Sequence, residues 1–312
     1  MDNFLLAAKV VLPLLIYMAV GLMVRKRGIF PAENFKALNS MTFRIFMPLT
    51  LFFNIYEAEL KEAVRPGIFI FAVTFIFLQF CVLWIALSRS IKSKPDCATM
   101  IQGIYRSNFV LFGNVVAASL CGESGLALVA ALAALVVPIF NILAVILFEL
   151  KRENDLRIGQ MIINIFKNPL VDAGIFGCIF KLFELPFPAF VKAPLATLGD
   201  IATPLALMSL GGMLSLGSMI SHRKYLLTAV IGKLIVVPII ALSAAITMGY
   251  RGDALVAVLA IFASPTAVAS APMAQSMGGN GDLAGEIVAA TSVCCIITIF
   301  LLVFFLSGRN LI

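Results

Sequence analysis

Apolar positions fill the chain in long runs, and each run is closed by a charge or by a Gly/Pro cluster. Ten such runs fall at roughly 4–24, 35–56, 67–88, 98–119, 125–149, 169–187, 194–218, 225–248, 253–277 and 284–307. A helix needs roughly 20 apolar residues to cross a hydrocarbon layer. The pattern therefore predicts an all-α membrane protein of ten transmembrane helices, called spans 1–10 here. The connections are short. The longest runs from Lys151 to Asn168 and ends in LRIGQMIINIFKN, which reads as a short interfacial helix. No stretch is suited to fold as a separate soluble domain.

Composition agrees with this reading. Of 312 residues, 62% are hydrophobic and 12% charged, against about 45–50% and about 25% in soluble domains. A water-soluble enzyme and a disordered chain are both excluded. The net charge of +7 fits basic loops beside anionic lipid rather than a nucleic-acid partner. The first apolar run ends in Arg25-Lys26-Arg27 and lacks a basic leader, so it reads as a first span and not a cleaved signal. Six cysteines lie in or beside apolar runs without a CxxC, and the single histidine, His222, sits in a loop. No metal site and no cofactor is expected.

Lys and Arg also set an orientation. With the N-terminus outside, the inner side holds Arg25, Lys26, Arg27, Lys36, Arg89, Lys92, Lys94, Lys151, Arg152, Arg157, Lys167, Arg223 and Lys224. The outer side holds Lys61, Arg65, Lys192, Arg251 and Arg309. Thirteen against five predicts both termini outside.

The chain repeats weakly on itself at an offset of about 156 residues. Met47-Pro48-Leu49-Thr50-Leu51 in span 2 matches Thr203-Pro204-Leu205-Ala206-Leu207 in span 7. Ser107-Asn108 in span 4 lies at the depth of Ser264-Pro265-Thr266 in span 9, and both runs continue to a glycine, Gly122 and Gly278. Each half, 1–155 and 156–312, has five spans. An odd number requires the second half to be inverted, an architecture of secondary transporters.

Polar residues inside the spans are the candidate chemistry, because a charge at mid-membrane costs roughly 2.5–3.5 kcal/mol on insertion scales. Lys9 and Lys181 lie near span ends and can snorkel. Span 4 is polar from Tyr105 through Arg106, Ser107 and Asn108 to Asn114, which predicts a break near Ser107-Asn108. Pro265 and Pro272 remove two backbone donors from span 9, with Ser270 and Gln275 following, so span 9 should kink or unwind. Two interrupted spans at matching places point to a mid-membrane site. Half-helix N-termini there suit a carboxylate, and Arg106 adds a charge-assisted donor. The alternative is that the prolines only kink and the asparagines only bond neighbouring helices.

Three further charges stand deep. Arg44 and Asp200 are 156 residues apart, on spans 2 and 7, and are expected either to pair near the symmetry axis or to face substrate. Lys233, near Pro238 in span 8, is read as a fixed counter-ion, a titrating group, or a partner of the carbonyls freed in span 9. Asn141, three residues after Pro138, is expected to bond the crossing or the substrate. There is no phosphate-binding G-x-x-x-x-G-K-[ST]. Gly279-Asn280-Gly281-Asp282 matches the GxGD of intramembrane aspartyl proteases but falls in a loop, with no second matching aspartate.

Over essentially its whole length the sequence resembles the auxin efflux carrier family, which includes plant PIN-type carriers and bacterial transporters of small organic acids. The resemblance rests on Asn39 and Pro48, on SerAsnPheValLeuPheGly at 107–113, and on Asn141-Ile142-Leu143. ThrProLeuAlaLeuMetSerLeuGlyGly at 203–212, Lys233 with Pro238, and AlaSerProThrAlaValAla at 263–269 complete it. It implies a ten-helix fold similar to bile-acid sodium symporters and sodium/proton antiporters. Spans 1, 2, 6 and 7 would form a scaffold, often dimeric. Spans 3–5 and 8–10 would form a transport domain in which broken spans 4 and 9 cross. PIN-type carriers have a proline where this chain has Ser107, and Gly113 is followed here by Asn114 rather than leading to a proline. These departures leave the substrate open.

The reading is a secondary transporter in the plasma (cell inner) membrane, moving a small organic anion by an elevator-like motion. Arg106, Ser107, Asn108, Ser264, Pro265 and Thr266 are the first candidates for the site. Asn114, Asn141, Ser270, Gln275 and Lys233 are the second. Rival readings are an ion channel or pore, which needs a continuous lined path, a sodium-coupled symporter of another solute class, a membrane enzyme and a receptor. Proton coupling could use Asp200 or Lys233, and sodium would need a carbonyl and hydroxyl cage in span 9.

Overall fold

A computed structural model describes residues 2–57, 66–152, 163 and 167–312. The expected interfacial helix, and the outer and inner charges Lys61, Arg65 and Arg157, lie outside these residues. The described chain is all helical. Helix α1 (Asp2–Lys26) is followed by α2 (Ala32–Met41), a π-helical stretch (Thr42–Phe46), α3 (Met47–Tyr56), α4 (Pro66–Ser90), α5 (Lys94–Tyr105) and α6 (Phe109–Leu150). After them come α7 (Pro169–Leu182), α8 (Ala189–Asp200), α9 (Ala202–Met213), α10 (Leu216–Ser221) and α11 (Arg223–Ile231). A second π stretch (Gly232–Val236) leads into α12 (Val237–Thr247), and α13 (Asp253–Ala263), α14 (Ser270–Ser276) and α15 (Gly281–Gly308) end the chain.

Five helical stretches among the described residues are long and apolar enough to cross a membrane: Pro66–Ser90, Leu120–Leu150, Ala189–Met213, Arg223–Thr247 and Gly281–Gly308. Ten were expected. For spans 4, 6 and 9 the difference has local causes. Spans 4 and 9 are interrupted, so each appears as two shorter helices. Span 6, expected over 169–187, stops at Leu182, ahead of Pro186 and Pro188, because residues before a proline avoid the helical region. Span 7 is among the five, beginning earlier than expected at Ala189 and changing helix at Ile201 within the stretch.

Both π stretches lie just ahead of a proline, Pro48 and Pro238. A proline cannot donate to the carbonyl four residues back, and its ring pushes against it. Widening the preceding turn relieves that clash while the helix continues. The matched glycines also behave alike. Gly122 has φ 63° inside α6, and Gly278 has φ 81° after α14. Only glycine adopts such values without strain, so each ends one helix and redirects the chain.

Helix α1 packs along α9 at backbone distance. A Cβ on Gly21 would stand 1.8 Å from the Met208 carbonyl oxygen, and one on Gly211 would stand 1.9 Å from that of Met18. Small residues at such a crossing let helices gain van der Waals contact where lipid offers no hydrophobic drive. Arg25 donates to the carbonyls of Gly212 at 3.2 Å and Leu214 at 2.9 Å, closing the end of α9. The Gly279–Asp282 loop is a helix start: Asn280 accepts from the Leu283 amide at 3.0 Å and donates to Asp96 at 2.8 Å.

Candidate functional site

The two interruptions meet. Helix α5 ends at Tyr105 and α6 begins at Phe109; α13 ends at Ala263 and α14 begins at Ser270. Between them Ser107 and Thr266 form an isolated antiparallel bridge, and the Asn108 amide donates to the Pro265 carbonyl at 2.8 Å. Two extended backbones therefore cross at the centre of the molecule.

A broken helix leaves carbonyls at its C-terminus that need donors. At the end of α5 three of them have one. Gln102 accepts from the Arg106 amide at 3.0 Å. Gly103 accepts from the Thr266 hydroxyl at 2.6 Å, and Ile104 from Gln79 at 3.2 Å. At the end of α13 the Ser264 hydroxyl donates to the Ala260 carbonyl at 2.6 Å. The Thr266 amide donates to the Thr291 hydroxyl oxygen at 3.2 Å.

Beside the crossing lies a cavity of about 560 Å³. One wall is Arg106–Phe109, Ala267–Ala269, and Val137, Phe140 and Asn141 of α6. The other comes from α1, α3 and the α8–α9 junction, with Tyr17, Thr50, Asn54, Asp200 and Thr203 as its polar members. Arg106 is 4% exposed. Its guanidinium donates to the Asn141 side-chain oxygen and lies 2.9 Å from the Met273 sulfur. With the Gln102 amide turned so that its nitrogen faces the Ser270 carbonyl, the Gln102 oxygen accepts from Arg106 at 3.3 Å. No ion pair to Arg106 exists among the described residues. Ser107 Oγ and Asn108 Nδ2 are buried without a partner. Buried polar groups are nearly always paired, so these atoms are set to meet something the cavity admits.

The expected residues divide. Arg106, Ser107, Asn108, Asn141 and Asp200 stand on the cavity. Ser264, Pro265 and Thr266 do not: their polar groups are spent on the crossing itself, and Ala267–Ala269 face the cavity in their place. Ser270 is buried behind the wall with an unpartnered hydroxyl. Gln275 lies apart and ties α14 to α2, accepting from Asn39 at 2.8 Å and donating to the Lys36 carbonyl at 2.9 Å. The Asn114 side chain lies outside the described residues.

The three deep charges also separate. Arg44 and Asp200 form no ion pair among the described residues. The Arg44 side chain is exposed in the first π stretch, while Asp200 lines the cavity, so the matching offset does not bring contact. Lys233 is fully buried in the second π stretch, and its Nζ bonds none of the freed carbonyls. The residues missed from sequence are those of the far wall. Asn54, a polar residue within an apolar run, was a visible signal. Thr50, bonded to the Gly199 carbonyl at 2.6 Å, and Thr203 flank the repeated prolines.

No curated protein matches the chain. A family model described as membrane transport protein covers residues 6–303, nearly the whole chain. The chain therefore belongs to that membrane transport family, the family of the auxin efflux carriers.

Proposed function

We propose that the protein is a secondary transporter that binds the carboxylate of a small organic acid at the crossing. The observation that carries this reading is Arg106, a buried cation on a cavity wall with no carboxylate partner among the described residues. A buried charge is retained when something pairs with it. The unpartnered Ser107 Oγ and Asn108 Nδ2 beside it, and the N-terminus of α6 at Phe109, add donors and a positive dipole end on the same side.

The proposed frame is ten spans in two inverted halves, supported by the 156-residue match of breaks and of glycines. In it, spans 1, 2, 6 and 7 form a scaffold through which two copies associate. Spans 3–5 and 8–10 move against it, carrying the substrate across the plasma membrane with both termini outside. The cavity lies between these two sets of helices, where alternating access needs it.

Counterflow of labelled organic acids into proteoliposomes tests the reading. Saturable exchange is expected for the wild type and none for Arg106→Gln that still elutes as folded protein. Full exchange by that variant, or flux at channel rates, would overturn the proposal.

A further inference from the structure

The cavity has two charged side chains among its described lining residues, and they have opposite sign. Arg106 stands at the crossing and Asp200 on the opposite wall, at the junction of α8 and α9. They do not pair with each other, and neither forms an ion pair among the described residues. The Asp200 side chain also has no hydrogen-bond partner there, and it is exposed to the cavity rather than buried in the wall. The remaining wall is largely apolar, with Leu14, Met47, Leu51, Val137, Phe140 and Val268 among its members.

We infer that the substrate is zwitterionic: an amino-bearing carboxylic acid whose carboxylate meets Arg106, whose ammonium meets Asp200, and whose apolar body fills the space between. This rests on the carboxylate reading above and adds a second charge to it.

The argument is one of complementarity. A simple anion entering the cavity would be attracted by Arg106 and repelled by Asp200, and low-dielectric apolar walls weaken the screening of that repulsion relative to bulk water. A simple amine would face the same conflict reversed. A molecule carrying both charges satisfies both walls, and each wall then rejects the analogue lacking its partner group. A 560 Å³ cavity lies within the roughly 300–1,000 Å³ range of small-molecule sites, so it admits an apolar body as well as the two charged ends. Because the two charges come from walls proposed to move relative to one another, a ligand that spans them would also join those walls when bound.

Binding to the purified full-length protein tests this with matched compounds. One set is phenylalanine, 3-phenylpropanoate and phenethylamine; the other is 6-aminohexanoate, hexanoate and hexylamine. In at least one set the amino acid should bind about tenfold or more tighter than both analogues, in line with the strength of charge-assisted contacts. In Asp200→Asn the preference over the amine-free acid should fall to about one. If both amine-free acids bind the wild type as tightly as their amino counterparts, the inference fails and the carboxylate reading stands. If the amines alone bind, or no compound does, both fail. The wild-type comparison decides the matter even if the variant does not fold. An unchanged preference in a folded Asp200→Asn also overturns the assignment to Asp200.

Discussion

The two interruptions at the centre of the molecule share a backbone plan and differ in chemistry. Both are short extended segments between half-helices, and they bridge one another through Ser107 and Thr266. In the second, the side chains serve the backbone: Ser264 and Thr266 donate to the carbonyls of Ala260 and Gly103. In the first, Ser107 Oγ and Asn108 Nδ2 keep unpartnered atoms, and Arg106 faces the cavity without a counter-ion among the described residues. One interruption holds the crossing together, and the other keeps unpartnered polar atoms on the cavity where we propose the substrate binds. The proposed pseudo-symmetry would constrain where a helix breaks, because both halves must leave room for each other. It would not constrain which half supplies the proposed ligand contacts.

That contrast is tested most strongly at Arg106. Arg106→Gln keeps a polar side chain near Asn141 and Met273 but removes the charge. Charge-assisted hydrogen bonds contribute about 1.5–3 kcal/mol, so affinity for a carboxylate ligand should fall by about a hundredfold, read by calorimetry on folded protein. The melting temperature without ligand should hold or rise, since an unpaired buried cation is removed. A loss of stability with no loss of affinity would reverse the roles assigned to the two segments. Asn108→Ala is the next step. It leaves the amide bond to Pro265 intact and deletes an unpartnered donor. Affinity should fall about tenfold, the size of one net hydrogen bond to a charged group.

The positions of the breaks were legible in the sequence because they break a strong rule. A run such as Tyr105-Arg106-Ser107-Asn108 has no place on a lipid-facing helix, and Pro265 denies span 9 a backbone donor. The glycine match at Gly122 and Gly278 was legible for a similar reason, since left-handed backbone favours one residue type. The division of labour was not legible. Serine and threonine can bond backbone or ligand equally well, and only the three-dimensional crossing shows that Gly103 lies under the Thr266 hydroxyl. The far wall was hidden for another reason. Thr50, Thr203 and Gly199 become cavity residues through helix packing, which a single sequence does not encode by spacing. Arg44 and Asp200 illustrate the limit: matching offsets suggested a pair, yet one side chain is exposed outside the cavity lining and the other lines the cavity.

The second interruption is tested by Thr266→Val, which keeps the side-chain shape and deletes the hydroxyl. The Gly103 carbonyl, the C-terminal end of a half-helix, then loses its donor in a buried place. The cost should be about 1 kcal/mol of stability, seen as a lower melting temperature in detergent. Affinity per folded molecule should stay within about a factor of two. A tenfold loss of affinity with unchanged melting would place Thr266 on the binding side and dissolve the contrast.

The smallest effect is expected at Ser264. Its hydroxyl donates to the carbonyl of Ala260, four residues back on its own helix. Such a bond competes with the helix it decorates and tends to bend it, so its net contribution is small. Ser264→Ala should cost below about 0.5 kcal/mol of stability and leave affinity unchanged within error. The neighbouring Ser107→Ala deletes an unpartnered hydroxyl on the cavity wall instead. It should leave stability alone and weaken binding by a few-fold. The two serines lie at nearly corresponding positions of the two halves, and the same change at each should register in different measurements. If Ser264→Ala weakened binding as much as Ser107→Ala, the two interruptions would share the ligand. The asymmetry would then belong to the unliganded cavity rather than to the transport cycle.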